Sequence, residues 1–159
     1  MKCKIIILFC LVLLFGCSVV ETLPQFTVKG ISMIPTLRDG EIVEYNPKFP
    51  FENLIRGDLV LLGDSMEYDA DGEPQQVKRI VGLGGDVIEL NDGKLYCNGV
   101  VVIEDYVTEL CEIDFGPVTV ADNEIFVLGD NRNVSVDSRS KGTYSISCYY
   151  GKVVDVVFK

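Results

Sequence analysis

Beyond residue 24 the chain is written in apolar runs of four to seven residues, separated by clusters of Gly, Pro, Asp and Asn. Runs this short and rich in Val and Ile favour strands, and the residues between them favour turns. The pattern predicts strands over 26–29, 41–45, 59–62, 76–82, 86–91, 94–97, 100–103, 124–128 and 152–158. Asn91-Asp92-Gly93 and Asn98-Gly99 offer residues that tolerate positive φ, so each predicts a hairpin and together they predict a three-stranded meander. Helix is scarce: one turn is predicted over 35–38, with Pro35 setting φ. The polar stretch 64–76 reads as a solvated loop. These elements predict a mostly β domain, antiparallel and partly closed in a barrel-like way.

The N-terminus follows a different pattern. Lys2 and Lys4 precede an uncharged run over 5–20 that ends at Glu21. Sixteen residues in a helix span roughly 24 Å, and snorkelling lysines with modest thinning close the gap to a hydrocarbon core of about 30 Å. The run predicts one transmembrane anchor within 1–23, N-terminus cytoplasmic, and an extracytoplasmic domain over 24–159 at the cell membrane, with lipid as a partner. Two readings compete: a cleaved secretory signal, and a lipoprotein signal with Cys17 as the lipidated residue. Phe15 is bulky where a lipoprotein motif usually has a small residue.

Composition narrows the chemistry. With 24 acidic and 14 basic residues among 159, the net charge is -10, which argues against nucleic-acid binding because no basic face is available to release counterions. No pair of the six cysteines has CxxC spacing and histidine is absent, so neither a metal site nor a cofactor is expected. In an exported domain Cys97 and Cys111 could close a disulfide, leaving Cys148 unpaired; buried free thiols are the equal alternative.

Without histidine, a hydrolase must use another base. Ser32 lies in Gly30-Ile31-Ser32-Met33-Ile34-Pro35-Thr36-Leu37, a turn-prone string with apolar neighbours. Lys78 lies in Val77-Lys78-Arg79-Ile80-Val81-Gly82, where strand alternation puts Lys78 and Arg79 on opposite faces, so that one of the two charges faces inward. Desolvation can bring a lysine from about 10.4 toward 7, enough to accept a serine proton. A third string, Gly129 to Arg139, is dense in short hydrogen-bonding side chains. Ser135 could orient a lysine amine there, while Asp130 and Asp137 could pair with arginines. Asn133-Val134-Ser135 also matches a glycosylation sequon.

Together, Ser32-Met33-Ile34-Pro35-Thr36-Leu37, Arg56-Gly57-Asp58-Leu59-Val60, Val77-Lys78-Arg79-Ile80-Val81-Gly82, Gly129-Asp130-Asn131-Arg132 and Asp137-Ser138-Arg139 resemble, in order, the motifs of type I signal peptidases. The resemblance implies a membrane-bound serine endopeptidase that removes signal peptides from exported preproteins without a cofactor. It implies Ser32 as nucleophile, Lys78 as general base, Ser135 as the hydroxyl holding the amine, and Asp130, Asp137 and Arg139 as support. It also implies shallow substrate pockets involving Phe26, Val28, Met33, Leu37 and Val77, favouring alanine-like residues at the first and third positions before the cut. Phe49-Pro50-Phe51 would dip into the bilayer or serve a core or turn role.

Two departures stand out: Gly84-Gly85-Asp86 replaces a usual Pro-Gly-Asp, and Gly30 stands where some members carry an oxyanion-binding hydroxyl. The short segment between Lys78 and Gly129 predicts an accessory domain reduced to a hairpin. Two rivals are a self-cleaving Ser-Lys regulator, which would need a DNA-binding module before the protease domain, and a non-catalytic β domain that binds a partner.

Overall fold

The computed structural model describes residues 22–63 and 75–158. The predicted anchor over 5–20 and most of the predicted loop over 64–76 lie outside them. Among the described residues no helix is long and apolar enough to cross a membrane.

The described chain is mostly β and entirely antiparallel in its strand pairing, built on two sheets. The larger contains β1 (Gln25–Thr27), β2 (Ile42–Asn46), β3 (Leu59–Leu62), β4 (Gln76–Leu83), β9 (Glu124–Leu128), β10 (Tyr144–Ser145) and β11 (Tyr149–Phe158). Its order is β1-β2-β11-β3-β4-β9-β10. The smaller contains β5 (Val87–Asn91), β6 (Lys94–Cys97), β7 (Val100–Val101) and β8 (Phe115–Thr119), in the order β7-β6-β5-β8. A single α-helical turn, α1 (Ser138–Lys141), follows β9.

The large sheet curls but does not close, because β1 and β10 remain separate edges. Register shifts help it bend. They interrupt β11 against both β2 and β3, and β4 against β9 between Ile80 and Gly82. Gly151 in β11 cannot carry a side chain, since a Cβ there would lie 2.7 Å from the Asn46 carbonyl oxygen. Strand β11 also begins three residues before the predicted 152.

The hairpins form as their residue types require: Asp92 and Gly93 take φ of 49° and 75°, Asn98 and Gly99 take 54° and 76°. The meander is β5-β6-β7. The expectation of a lone accessory hairpin is corrected, because β8 adds a fourth strand against β5. Gly116-Pro117 hid β8 in the sequence; proline fits because β8 is an edge strand. The helical turn predicted over 35–38 is also corrected. The turn instead lies over 32–36 and is not continued as a helix, with Leu37 N–H donating to the Met33 carbonyl at 2.9 Å in one helix-type bond.

Three apolar clusters fill the interior. One packs Ile88, Leu90, Leu95 and Val120 of the small-sheet region against Phe126 and Leu128 of β9. Another packs Val60, Leu62, Ile80, Ile125 and Val127 between the central strands, with Phe49 and Phe51 against it. The Phe49 and Phe51 rings therefore support the core, Phe51 meeting Tyr149 edge-on at 5.6 Å between centroids. Cys97, Cys111 and Cys148 are buried free thiols, which corrects the disulfide alternative. Asp86 joins the sheets: its carboxylate accepts from Arg56, from Leu83 N–H and from Asn98 Nδ2.

Candidate active site

Lys78 is carried by β4, flanked by β3 and β9. The residue is only 3% exposed. Its Nζ donates to Ser32 Oγ at 3.0 Å and to its own strand's Val77 carbonyl at 3.2 Å. Burial lowers the Lys78 pKa to about 8; Asp137 opposes that shift, Lys141 adds to it and Asp130 opposes it. Roughly a tenth of the amine is thus neutral at pH 7, at the atom that contacts the serine hydroxyl.

Ser32 is half-buried in the tight turn after β1. The loop after β9 holds that turn in place, with Asn131 N–H donating to the Ser32 carbonyl at 3.0 Å. Gly129 makes the approach possible. A Cβ at Gly129 would lie 2.4 Å from the Ser32 carbonyl oxygen and 2.2 Å from Ser135 Oγ.

The same loop carries two buried carboxylates. Asp130 accepts from Arg79 Nε at 2.8 Å and Nη2 at 2.6 Å, and from the Thr36 hydroxyl. Asp137, fully buried, accepts from Arg139 Nε at 2.8 Å and Nη2 at 2.9 Å, and from Gly129 N–H at 3.0 Å. Such bidentate guanidinium pairs offset the cost of burying the charges and fix the loop's shape. Each carboxylate predicted to pair with an arginine does so.

Of the two charges on β4, Lys78 is the buried one, as expected. Lys78 and Arg79 do point to opposite faces, but both are covered: the Arg79 side chain is 11% exposed, stacked 3.8 Å from the Tyr106 ring centroid. Alternation separated the faces without revealing that loops cover the second one. Sequence reasoning also missed Thr36, Asn131 and the pair of Arg132 with Glu104, whose bidentate contacts are 2.8 and 2.7 Å. The signal for Arg79 was its place beside Lys78; nothing local pointed to Glu104.

Ser135 Oγ does not hold the lysine amine here; it is buried without a hydrogen-bond partner among the described residues. Val28, Met33, Leu37 and Val77 are buried in one apolar cluster with Val43, Tyr45 and Leu61, and Phe26 packs against it. Four of the five residues expected to line a pocket are therefore buried in the core, and only Phe26 is partly exposed. Among the described residues no group of acidic or sulfur ligands is arranged to hold a metal ion.

The family described as signal peptidase, peptidase S26, matches residues 2–158. The chain belongs to this family. It is 41% identical over 128 residues to signal peptidase I S of Bacillus subtilis strain 168, an alignment covering 72% of this chain and 65% of that protein. It is 34% identical over 135 residues to thylakoidal processing peptidase 1 of Arabidopsis thaliana, covering 80% of this chain and 40% of that protein. A crystal structure of a signal peptidase I from Enterococcus faecalis V583 superposes with a TM-score of 0.52 at 30% identity, covering 64% of this chain and 97% of that one. The chain thus spans just under two thirds of the length of the Bacillus peptidase. As an S26 chain, its Ser32, Lys78 and the Gly129 to Arg139 loop fall within the matched region.

Proposed function

We propose that this S26 chain is a serine endopeptidase that cleaves signal peptides from exported preproteins through Ser32 and Lys78. One observation carries the reading: Lys78 Nζ, desolvated and with its pKa lowered to about 8, contacts Ser32 Oγ at 3.0 Å. Neutral Lys78 takes the Ser32 proton as Oγ attacks the scissile carbonyl. The resulting ammonium gives that proton to the leaving amine, producing an ester on Ser32. Lys78, neutral again, takes a proton from water as the water attacks the ester, and collapse of this second intermediate returns a proton to Ser32. Ser135, with its unpartnered buried hydroxyl, is suited to receive the amine once Ser32 is acylated.

The substrate would lie along the free edge of β1, which leads directly into the Ser32 turn. Its small side chains would press on Phe26, which is half-buried over the apolar cluster of Val28, Met33, Leu37 and Val77. Asp130, Asp137 and Arg139 hold the loop. The run over 5–20 would anchor the protein in the cell membrane, N-terminus cytoplasmic and the catalytic domain outside, so that the membrane delivers the preprotein to the site.

The test is preprotein cleavage by the detergent-solubilised full chain, compared with Ser32→Ala and Lys78→Ala. Processing by the wild type and none by either variant is expected. Equal processing by all three would overturn the reading.

A further inference from the structure

One residue grips the nucleophile's backbone at two successive carbonyls. Asn131 donates its backbone N–H to the Ser32 carbonyl at 3.0 Å and its side-chain Nδ2 to the Ile31 carbonyl at 3.1 Å. The Ile31 carbonyl accepts a second, longer bond from Ile34 N–H at 3.3 Å. The peptide joining Ile31 to Ser32 is trans, the cis bonds of the described chain being Ile34-Pro35 and Gly116-Pro117. In a trans peptide the carbonyl and the next N–H point to opposite sides of the bond. Fixing the Ile31 oxygen toward Asn131 therefore aims the Ser32 N–H the other way.

That N–H is available, since it donates to no backbone carbonyl among the described residues. It is also short of help: residue 30 is a glycine and supplies no hydroxyl. A donor aimed in advance at developing negative charge is worth far more than one that must reorient. Hydrogen bonds accepted by a carbonyl polarise its peptide and strengthen the N–H on the other side.

Resting on the peptidase reading above, we infer that Asn131 is a positioning residue for the oxyanion hole: its side-chain amide locks and polarises the Ile31–Ser32 peptide, so that the Ser32 N–H stabilises the tetrahedral oxyanion without a hydroxyl at position 30. The backbone half of the grip survives substitution of the side chain, so the two halves are separable. Asn131→Ala removes the amide. Asn131→Asp keeps its shape but sets an acceptor against the Ile31 carbonyl.

The experiment uses the full chain in detergent and measures preprotein cleavage, with inhibition by a peptide aldehyde whose Ser32 adduct places an oxygen where the oxyanion forms. Each variant is assayed on its own pH plateau, so that a shift in the lysine's titration does not enter. Both variants are expected to lose roughly 10–100-fold in kcat, less than the 10²–10³ typical of deleting a whole donor. KM should stay within about twofold, and aldehyde affinity should fall by the factor lost from kcat/KM. A kcat within about twofold of wild type in both folded variants would overturn the role, as would equal losses of substrate and aldehyde affinity. A wild type that cleaves nothing would instead overturn the parent reading.

Discussion

Lys78 Nζ and Ser32 Oγ stand 3.0 Å apart although 46 positions separate the two residues in the chain. The contact is made by a lysine whose strand, β4, sits inside the large sheet and by a serine on a turn tied to the loop after β9. Burial places the titration of Lys78 at about 8. In the proposed mechanism the neutral amine is the active form, so kcat/KM should rise with pH and level off above about 8. A pH–rate profile measures this directly, and an activity flat from pH 6 to 9 would contradict it.

The same burial has a stability consequence. Folding favours the neutral amine, so the unfolded chain binds more protons between the folded pKa of about 8 and the ordinary 10.5. Stability should therefore rise with pH across that window, and the cost should be fully present below it. Lys78→Met removes the cost, about 3 kcal/mol at most from the size of the shift and less after relaxation. The variant is expected to be inactive yet to melt higher than wild type at pH 7, with the difference shrinking toward pH 10.5. Thermal melts at both pH values test this.

Gly129 is the point where the two loops touch. Its missing Cβ leaves room for Ser135 Oγ and the Ser32 carbonyl. Gly129→Ala should push the Ser32 turn away from Lys78 and lower kcat by about 10²-fold, the scale expected for a displacement near 1 Å. Steady-state kinetics on the folded variant are the check.

Arg79 neutralises Asp130, a carboxylate that pulls the Lys78 pKa upward. Arg79→Met should strengthen that pull, moving the pH–rate midpoint to higher pH. It should also cost about 3–5 kcal/mol, as expected when a buried pair loses one partner. Denaturant titration and the pH profile report the two effects separately. An unchanged midpoint would mean that Asp130 is not the coupled charge.

Asp86 links the sheets away from the site. The Arg56 guanidinium, assisted by Leu83 N–H and Asn98, outweighs burial and holds the Asp86 pKa at about 2. Its contribution should be full above the ordinary 3.8 and be lost as pH falls toward 2. Asp86→Asn should cost about 1–2 kcal/mol at pH 7, tempered by the exposure of Arg56, and almost nothing at pH 2. Acid titration of stability for both proteins tests it.

Much of the fold was readable because its signals are local. Asp92-Gly93 and Asn98-Gly99 announce their turns through backbone preference alone. Strands β3 to β6 and β9 follow from runs of apolar and β-branched residues. Strand β8 was missed because Gly116-Pro117 reads locally as a breaker, and only its edge position makes the proline acceptable. The partial cover over Arg79 on β4 was missed for a related reason: alternation specifies which face a residue takes, not what covers that face.

The residue types alone determined that any serine chemistry here must use a base other than histidine, since the chain has none. They also singled out Ser32, Lys78 and the Gly129 to Arg139 loop, because motif identity and turn propensity are properties of short segments. Tertiary structure decided whether those pieces meet. It set the 3.0 Å contact, the paired carboxylates, the Ser135 hydroxyl without a partner among the described residues, and the grip of Asn131 on the Ser32 turn. It also decided the protonation of Lys78. Desolvation depends on everything packed around an amine, and most of what packs around Lys78 is distant in sequence.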